Sequence, residues 1–149
     1  MFVFKFEKLL SIKENMLKKC MIEIATITAV IETYTKKKME LELERERIRQ
    51  KLDKELSSSS ISRAMVMFLH ENIANVESKI NWLTESIENL KKQKKEKIEE
   101  AKEINREKKK LERLKEKAYE EYLLNEKRKE MRFLDEIANI KTARGTIEH

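Results

Sequence analysis

The sequence predicts an all-α fold, a long two-helix antiparallel coiled-coil hairpin whose second helix is longer than its first. Three observations carry this. The chain has no proline and one glycine, Gly145, so it lacks the residues from which most turns are built. Apolar residues recur at alternating steps of three and four through both halves, the spacing of a coiled-coil seam. A single serine run, Ser57-Ser58-Ser59-Ser60, separates the two seams.

The first seam runs through Phe6, Leu10, Lys13, Leu17, Cys20, Ile24, Ile27, Ile31, Tyr34, Lys38, Leu41, Arg45, Ile48 and Leu52. Eleven of these fourteen positions are apolar, enough to sustain a helical stripe across its three polar interruptions. Serine competes for the backbone inside helices but caps their N-termini well, so the segment from Leu56 to Ser62 reads as a helix-helix turn. The second seam follows as Val66, Leu69, Ile73, Val76, Ile80, Leu83, Ile87 and Leu90. After Lys94 and Lys97 it resumes at Ala101, Ile104, Leu111, Ala118 and Tyr122. The expected organisation is one coiled-coil domain over 1–149: helix about 4–55, turn about 56–61, helix about 62–141 and a short tail at 142–149. A short turn makes the helices antiparallel neighbours, and folding about position 58.5 pairs residues whose numbers total about 117. At about 1.5 Å per residue the helices would run to roughly 80 and 120 Å. The second then overhangs the first from Leu114 to Ile140, with Gly145 as an end signal. Lys13, Lys38, Arg45, Lys94 and Lys97 are read as seam residues that set register and strand number.

Composition agrees. Charged residues make up 42% of the chain, against about 25% in ordinary domains. Apolar residues still reach 40%, more than a disordered chain carries. The 34 basic and 28 acidic side chains are interspersed and leave a net charge of +6, the pattern of a solvated helix surface. Cys20 stands alone, so a disulfide framework is not expected and a reducing compartment fits. No signal-peptide pattern is visible, and the most apolar window, Met21 to Ile31, contains Glu23 and falls short of the roughly 20 residues that cross a bilayer.

The residues of catalysis and cofactor binding are absent as groups. His70 and His149 are the only histidines, and with Cys20 they lack zinc spacing. One glycine cannot make a phosphate loop. Glu99-Glu100 and similar strings are not paired acids in a cleft. Neither an enzyme nor a cofactor is expected. Lys91 to Lys110 holds ten basic and five acidic residues and could meet phosphates, but no base-reading motif accompanies it; a Glu-Lys-laced surface is the reading, and no nucleic acid is expected.

Both ends of the chain resemble the FliJ family. Phe2-Val3-Phe4-Lys5-Phe6-Glu7-Lys8-Leu9-Leu10, followed by Ile12-Lys13-Glu14, is similar to that family's opening, with Lys5-Phe6-Glu7 where Arg-Leu-Glu is commoner. The segments Arg106 to Lys117, Tyr119-Glu120-Glu121-Tyr122, Glu126 to Glu130 and Leu134-Asp135-Glu136-Ile137-Ala138 resemble its closing part. The middle, Ile31 to Leu90, carries no family-diagnostic residue. The resemblance implies a cytoplasmic stalk at the flagellar base, peripheral to the inner membrane and similar in shape to the γ-subunit coiled coil of ATP synthase. Such a stalk occupies the hexameric export ATPase, links it to the export gate membrane protein, meets export chaperones, and is a monomer when isolated. A virulence-type secretion stalk and a generic coiled-coil scaffold are the alternatives.

Under that resemblance two surfaces stand out. An isolated helix is marginal in water unless an apolar face is packed, so the overhang calls for a partner. The ring contact is expected to use Phe4, Leu114, Tyr119, Tyr122, Arg128, Lys129, Arg132, Phe133, Leu134 and Ile137, the basic members meeting acidic groups around the pore. Phe68 and Trp82, two heptads apart and off the seam, are the expected gate contacts; Ile22 and Ala29 form a similar off-seam pair.

Overall fold

The computed structural model describes the backbone of residues 1–148 and side chains through Gly145. It is an all-α antiparallel hairpin of two helices, α1 (Glu7–Leu56, 50 residues) and the longer α2 (Arg63–Glu148, 86 residues). Strong helix formers dominate both. The β-branched stretch of α1 is accommodated by Thr26, Thr28, Thr33 and Thr35, whose hydroxyls donate to the carbonyls four residues back at 2.7–3.0 Å and so need no outside partner. Glu7 in the first turn of α1 and Lys54 in its last complement the helix dipole.

The turn runs one residue later than the sequence predicts. Ser57 Oγ donates to the Asp53 carbonyl at 2.7 Å, closing α1. Of the serines it is Ser62 that caps α2, its Oγ accepting from the Met65 N–H at 3.3 Å while its own N–H donates to the Glu55 carboxylate at 2.9 Å. At the other ends, the N-terminal strip is non-helical until Glu7, where the helix was expected from about residue 4. Gly145 does not stop α2: its φ is not positive and the helix continues to Glu148 across the expected tail. Glycine permits a left-handed cap without forcing one. His149 lies outside the described residues.

The chain divides into two compact units, one of Met1–Leu17 with Glu103–His149, the other Lys18–Lys102. In the first, Phe4, Leu10 and Leu111 are buried together, with Phe2 and Ala118 against them. In the second, Ile48, Leu52, Leu69, Val76 and Ile80 form the core, flanked by Leu41, Val66 and Ile73. Every member of the first seam except Phe6 is buried or half-buried, and so is every member of the second. Phe6 is exposed and Phe4 takes the inward place, because the strip before Glu7 is not helical and does not follow the heptad. Cys20 packs in the seam; burial, with Glu100 beside it, pushes its thiol pKa up, so it behaves as a small apolar side chain.

Cross-helix ion pairs fix the register. Lys13 pairs with Glu107 in the first unit, and Lys97 with Glu23 at 2.7 Å in the second. The residue numbers of these two pairs total 120, those of Glu7 with Lys115 122 and those of Arg49 with Glu77 126, all above the expected 117, as a later turn requires. The basic seam residue Lys97 is also held by Glu100 at 3.2 Å. A slip of one heptad would set Lys97 against Met16 or Val30 and leave its ammonium without a carboxylate across the helices. The Lys97 hydrogen bond, then its charge, hold the Glu23 carboxyl below the ordinary carboxylate range, and the two carboxylates raise the pKa of Lys97. A depressed carboxyl stabilises above its unfolded pKa and stops doing so as pH falls through the folded one; a raised lysine does the reverse at high pH. The register lock is therefore whole between about pH 5 and 10. With Cys20 replaced by Ser, cysteines at positions 23 and 97 are expected to crosslink within one molecule. A pair at Ile24 and Gln93, numbers totalling 117, is expected to crosslink far less. Equal yields, or crosslinks only between molecules on denaturing gels, would show this register or the hairpin pairing to be wrong.

Candidate functional site

The first unit presents an aromatic junction and then an uncovered helix. Glu7 meets Lys115 at 2.9 Å at the start of α1. The strip before it reaches further: the Phe2 ring lies 5.2 Å from Tyr119, edge-on, and 5.5 Å from Tyr122. Edge-to-face pairs add about 1 kcal/mol each beyond simple burial, which holds the strip against α2. Cover therefore extends to Tyr122, and the uncovered stretch begins at Leu123, where the sequence arithmetic placed it at Leu114. From Leu123 to Ile140 only Ile137 is even half-buried.

The residues expected to contact a ring separate accordingly. Phe4 is 8% exposed and faces Leu10 and Leu111, so it belongs to the core. Tyr119 and Tyr122 hold Phe2, the first still exposed and the second half-buried. Leu114 is exposed, one position off the seam that passes through Leu111, Lys115 and Ala118. Phe133 and Leu134 are each 62% exposed, and Met131 beside them 66%. Arg128, Lys129 and Arg132 are exposed and line a shallow groove with Tyr122, Asn125 and Glu126; Lys129 has an ion pair with Glu126 at 3.7 Å. The stretch is thus an amphipathic helix carrying large apolar side chains beside cations, with no cover from the described residues of its own chain.

The second unit carries the other candidate surface. Phe68 and Trp82 are both exposed, at 57% and 59%. Phe68 stands next to the buried Leu69, so burial changes within one residue, as a helical seam requires. Trp82 is not isolated. The Tyr34 ring of α1 lies 5.8 Å from it, and a groove of about 430 Å³ opens alongside, lined by Lys37, Leu41, Ser78, Lys79, Trp82 and Leu83. Sequence reasoning marked Trp82 but missed Tyr34 as its neighbour. Tyr34 had been assigned to the seam, and a seam position does not reveal which cross-helix ring it meets. Ile22 and Ala29 are exposed as well, with no groove against them among the described residues.

Among the described residues there is no cluster of three or more His, Cys, Asp or Glu able to hold a metal ion, and no helix is long and apolar enough to cross a membrane. His70 is exposed. The grooves are open helix-surface features, suited to protein segments rather than to enclosed small molecules. No curated protein and no solved structure matches the chain. The family model described as flagellar FliJ protein matches residues 1–146. With a two-helix hairpin whose second helix is the longer, and that match over nearly its whole length, the chain belongs to the flagellar FliJ family and is a component of the flagellar protein export apparatus.

Proposed function

We propose that the chain is the non-enzymatic central stalk of the export apparatus, binding the hexameric export ATPase with its first unit and the export gate membrane protein with its second. The observation that supports this best is the uncovered amphipathic stretch from Leu123 to Ile140, exposed apolar residues beside Arg128, Lys129 and Arg132. Such a face is marginal in water alone and is completed by a partner that supplies apolar contacts and carboxylates. A ring of six like subunits around one asymmetric helix pair meets six different surfaces, so binding can favour one subunit conformation over another if the contacts differ between states. The stalk is monomeric when isolated, works at the cytoplasmic face of the inner membrane without inserting into it, and cooperates there with export chaperones. Capture of the hexameric ATPase from cell extract by the tagged chain tests the ring assignment.

The gate assignment rests on Trp82 and Phe68. An exposed tryptophan beside a groove is the commonest kind of interface anchor, worth about 2 kcal/mol or more when truncated. Trp82→Ala is expected to weaken binding to the purified cytoplasmic domain of the gate roughly thirtyfold, by calorimetry, with helicity and ATPase binding intact. Unchanged gate affinity would remove this face from the proposal.

A further inference from the structure

Trp82 is only one wall of its groove. Leu41, half-buried, and Leu83, 3% exposed, make an aliphatic floor, and Tyr34 stands 5.8 Å from the indole. Lys37 from α1 and Lys79 from α2 flank the opening; both are exposed, and among the described residues neither is ion-paired with a carboxylate. Most lysines of the chain are likewise without an ion pair among the described residues, whereas Lys13, Lys97 and Lys115 each meet a carboxylate across the helices. No acidic residue lines the groove.

We infer that this groove is a docking site for an acidic protein segment with an aliphatic anchor: a leucine or similar side chain enters between Trp82 and Leu41, and flanking Asp or Glu side chains meet Lys37 and Lys79. The proposal rests on the gate reading above in one respect only, that the gate is where such a segment is to be sought. Charge complementarity selects the occupant. Two unpaired ammonium groups on opposite helices attract carboxylates on both sides of an anchor and repel a basic segment. The floor of Leu41 and Leu83 suits an aliphatic side chain; the exposed Trp82 ring is also a face on which a base can stack, so a single-stranded oligonucleotide is the competing occupant in the test.

Trp82 is the only tryptophan in the chain, so its fluorescence reports on the groove directly. The full chain is titrated with three synthetic peptides of one length, each with a central leucine, flanked by Asp and Glu, by Asn and Gln, or by Lys. The acidic peptide is expected to shift Trp82 emission at concentrations at least tenfold lower than the other two, with the preference fading as salt rises. The double variant K37E/K79E is expected to lose that preference and take the basic peptide instead, with unchanged helicity. Equal affinity for all three peptides, no response to K37E/K79E, or tighter binding of a single-stranded oligothymidylate than of the acidic peptide would each overturn the proposal. The same variant is assayed against the cytoplasmic domain of the gate. If Trp82→Ala loses the gate while K37E/K79E keeps it, the acidic-segment proposal falls and the gate reading stands. If neither loses the gate while the peptides still discriminate, the gate reading falls and the groove stands.

Discussion

On the proposed stalk role, a chain shortened to residues 1–130 is expected to give no stimulation of the export ATPase, leaving the basal rate of the ring alone, while remaining a folded and soluble hairpin. The structure explains why the two effects separate. Between Met131 and Gly145 no side chain is buried, so the deletion opens no cavity in either core. It does remove Met131, Phe133, Leu134 and Ile140, all more than half exposed, together with Arg132. These are the groups available to a surrounding ring. Circular dichroism would show lost helix in proportion to the residues removed, and the melting transition would stay in place. ATP hydrolysis by the hexamer, with and without the shortened chain, is the deciding measurement. Normal stimulation would remove this stretch from the proposed ring contact.

A second large effect is expected at two adjacent residues with opposite surroundings. Leu69→Ala removes a side chain 5% exposed in the core of Ile48, Leu52, Val76 and Ile80. Buried Leu→Ala changes cost about 2–5 kcal/mol, combining lost transfer energy with a residual cavity. The lower part of that range, about 2–3 kcal/mol, is expected here, because two helices alone cannot enclose a site and no side chain among the described residues is completely buried. For a chain of this size that lowers the melting temperature by roughly 5–10 °C. Phe68→Ala, one position away and exposed, is expected to stay within about 0.5 kcal/mol of the parent chain. The contrast by thermal melting checks the facing of α2. If Phe68→Ala were the more damaging, the seam would be assigned to the wrong side of the helix.

Much of this protein is legible in its residues, and the limits follow from what a heptad repeat specifies. Lys13, Cys20, Ile24 and their successors define a stripe on one helix, and Val66 to Leu90 define the facing stripe. Stripe and turn together point to a hairpin, since a short turn brings the two stripes face to face within one chain. The ends carry the family resemblance. The repeat does not, however, choose between alignments, because sliding one apolar stripe along another keeps apolar against apolar. That choice fell to polar groups: Ser62 rather than an earlier serine caps α2, and Lys13 with Glu107 and Lys97 with Glu23 hold the helices where each ammonium has a carboxylate.

The N-terminal strip, packed on Tyr119 and Tyr122, moved the start of the uncovered helix past the point where α1 begins. The pairing of the two helices set Tyr34 beside Trp82 and Lys37 and Lys79 around one groove. The sequence by itself determined the fold class, the facing of each helix and the family, because these depend on local periodicity and on the order of residues along the chain. Only the tertiary structure decided the register, the inward turn of Phe4 and the composition of the Trp82 groove. Each of those is a relation between residues far apart in the chain, settled by which distant side chains satisfy one another's charge and volume.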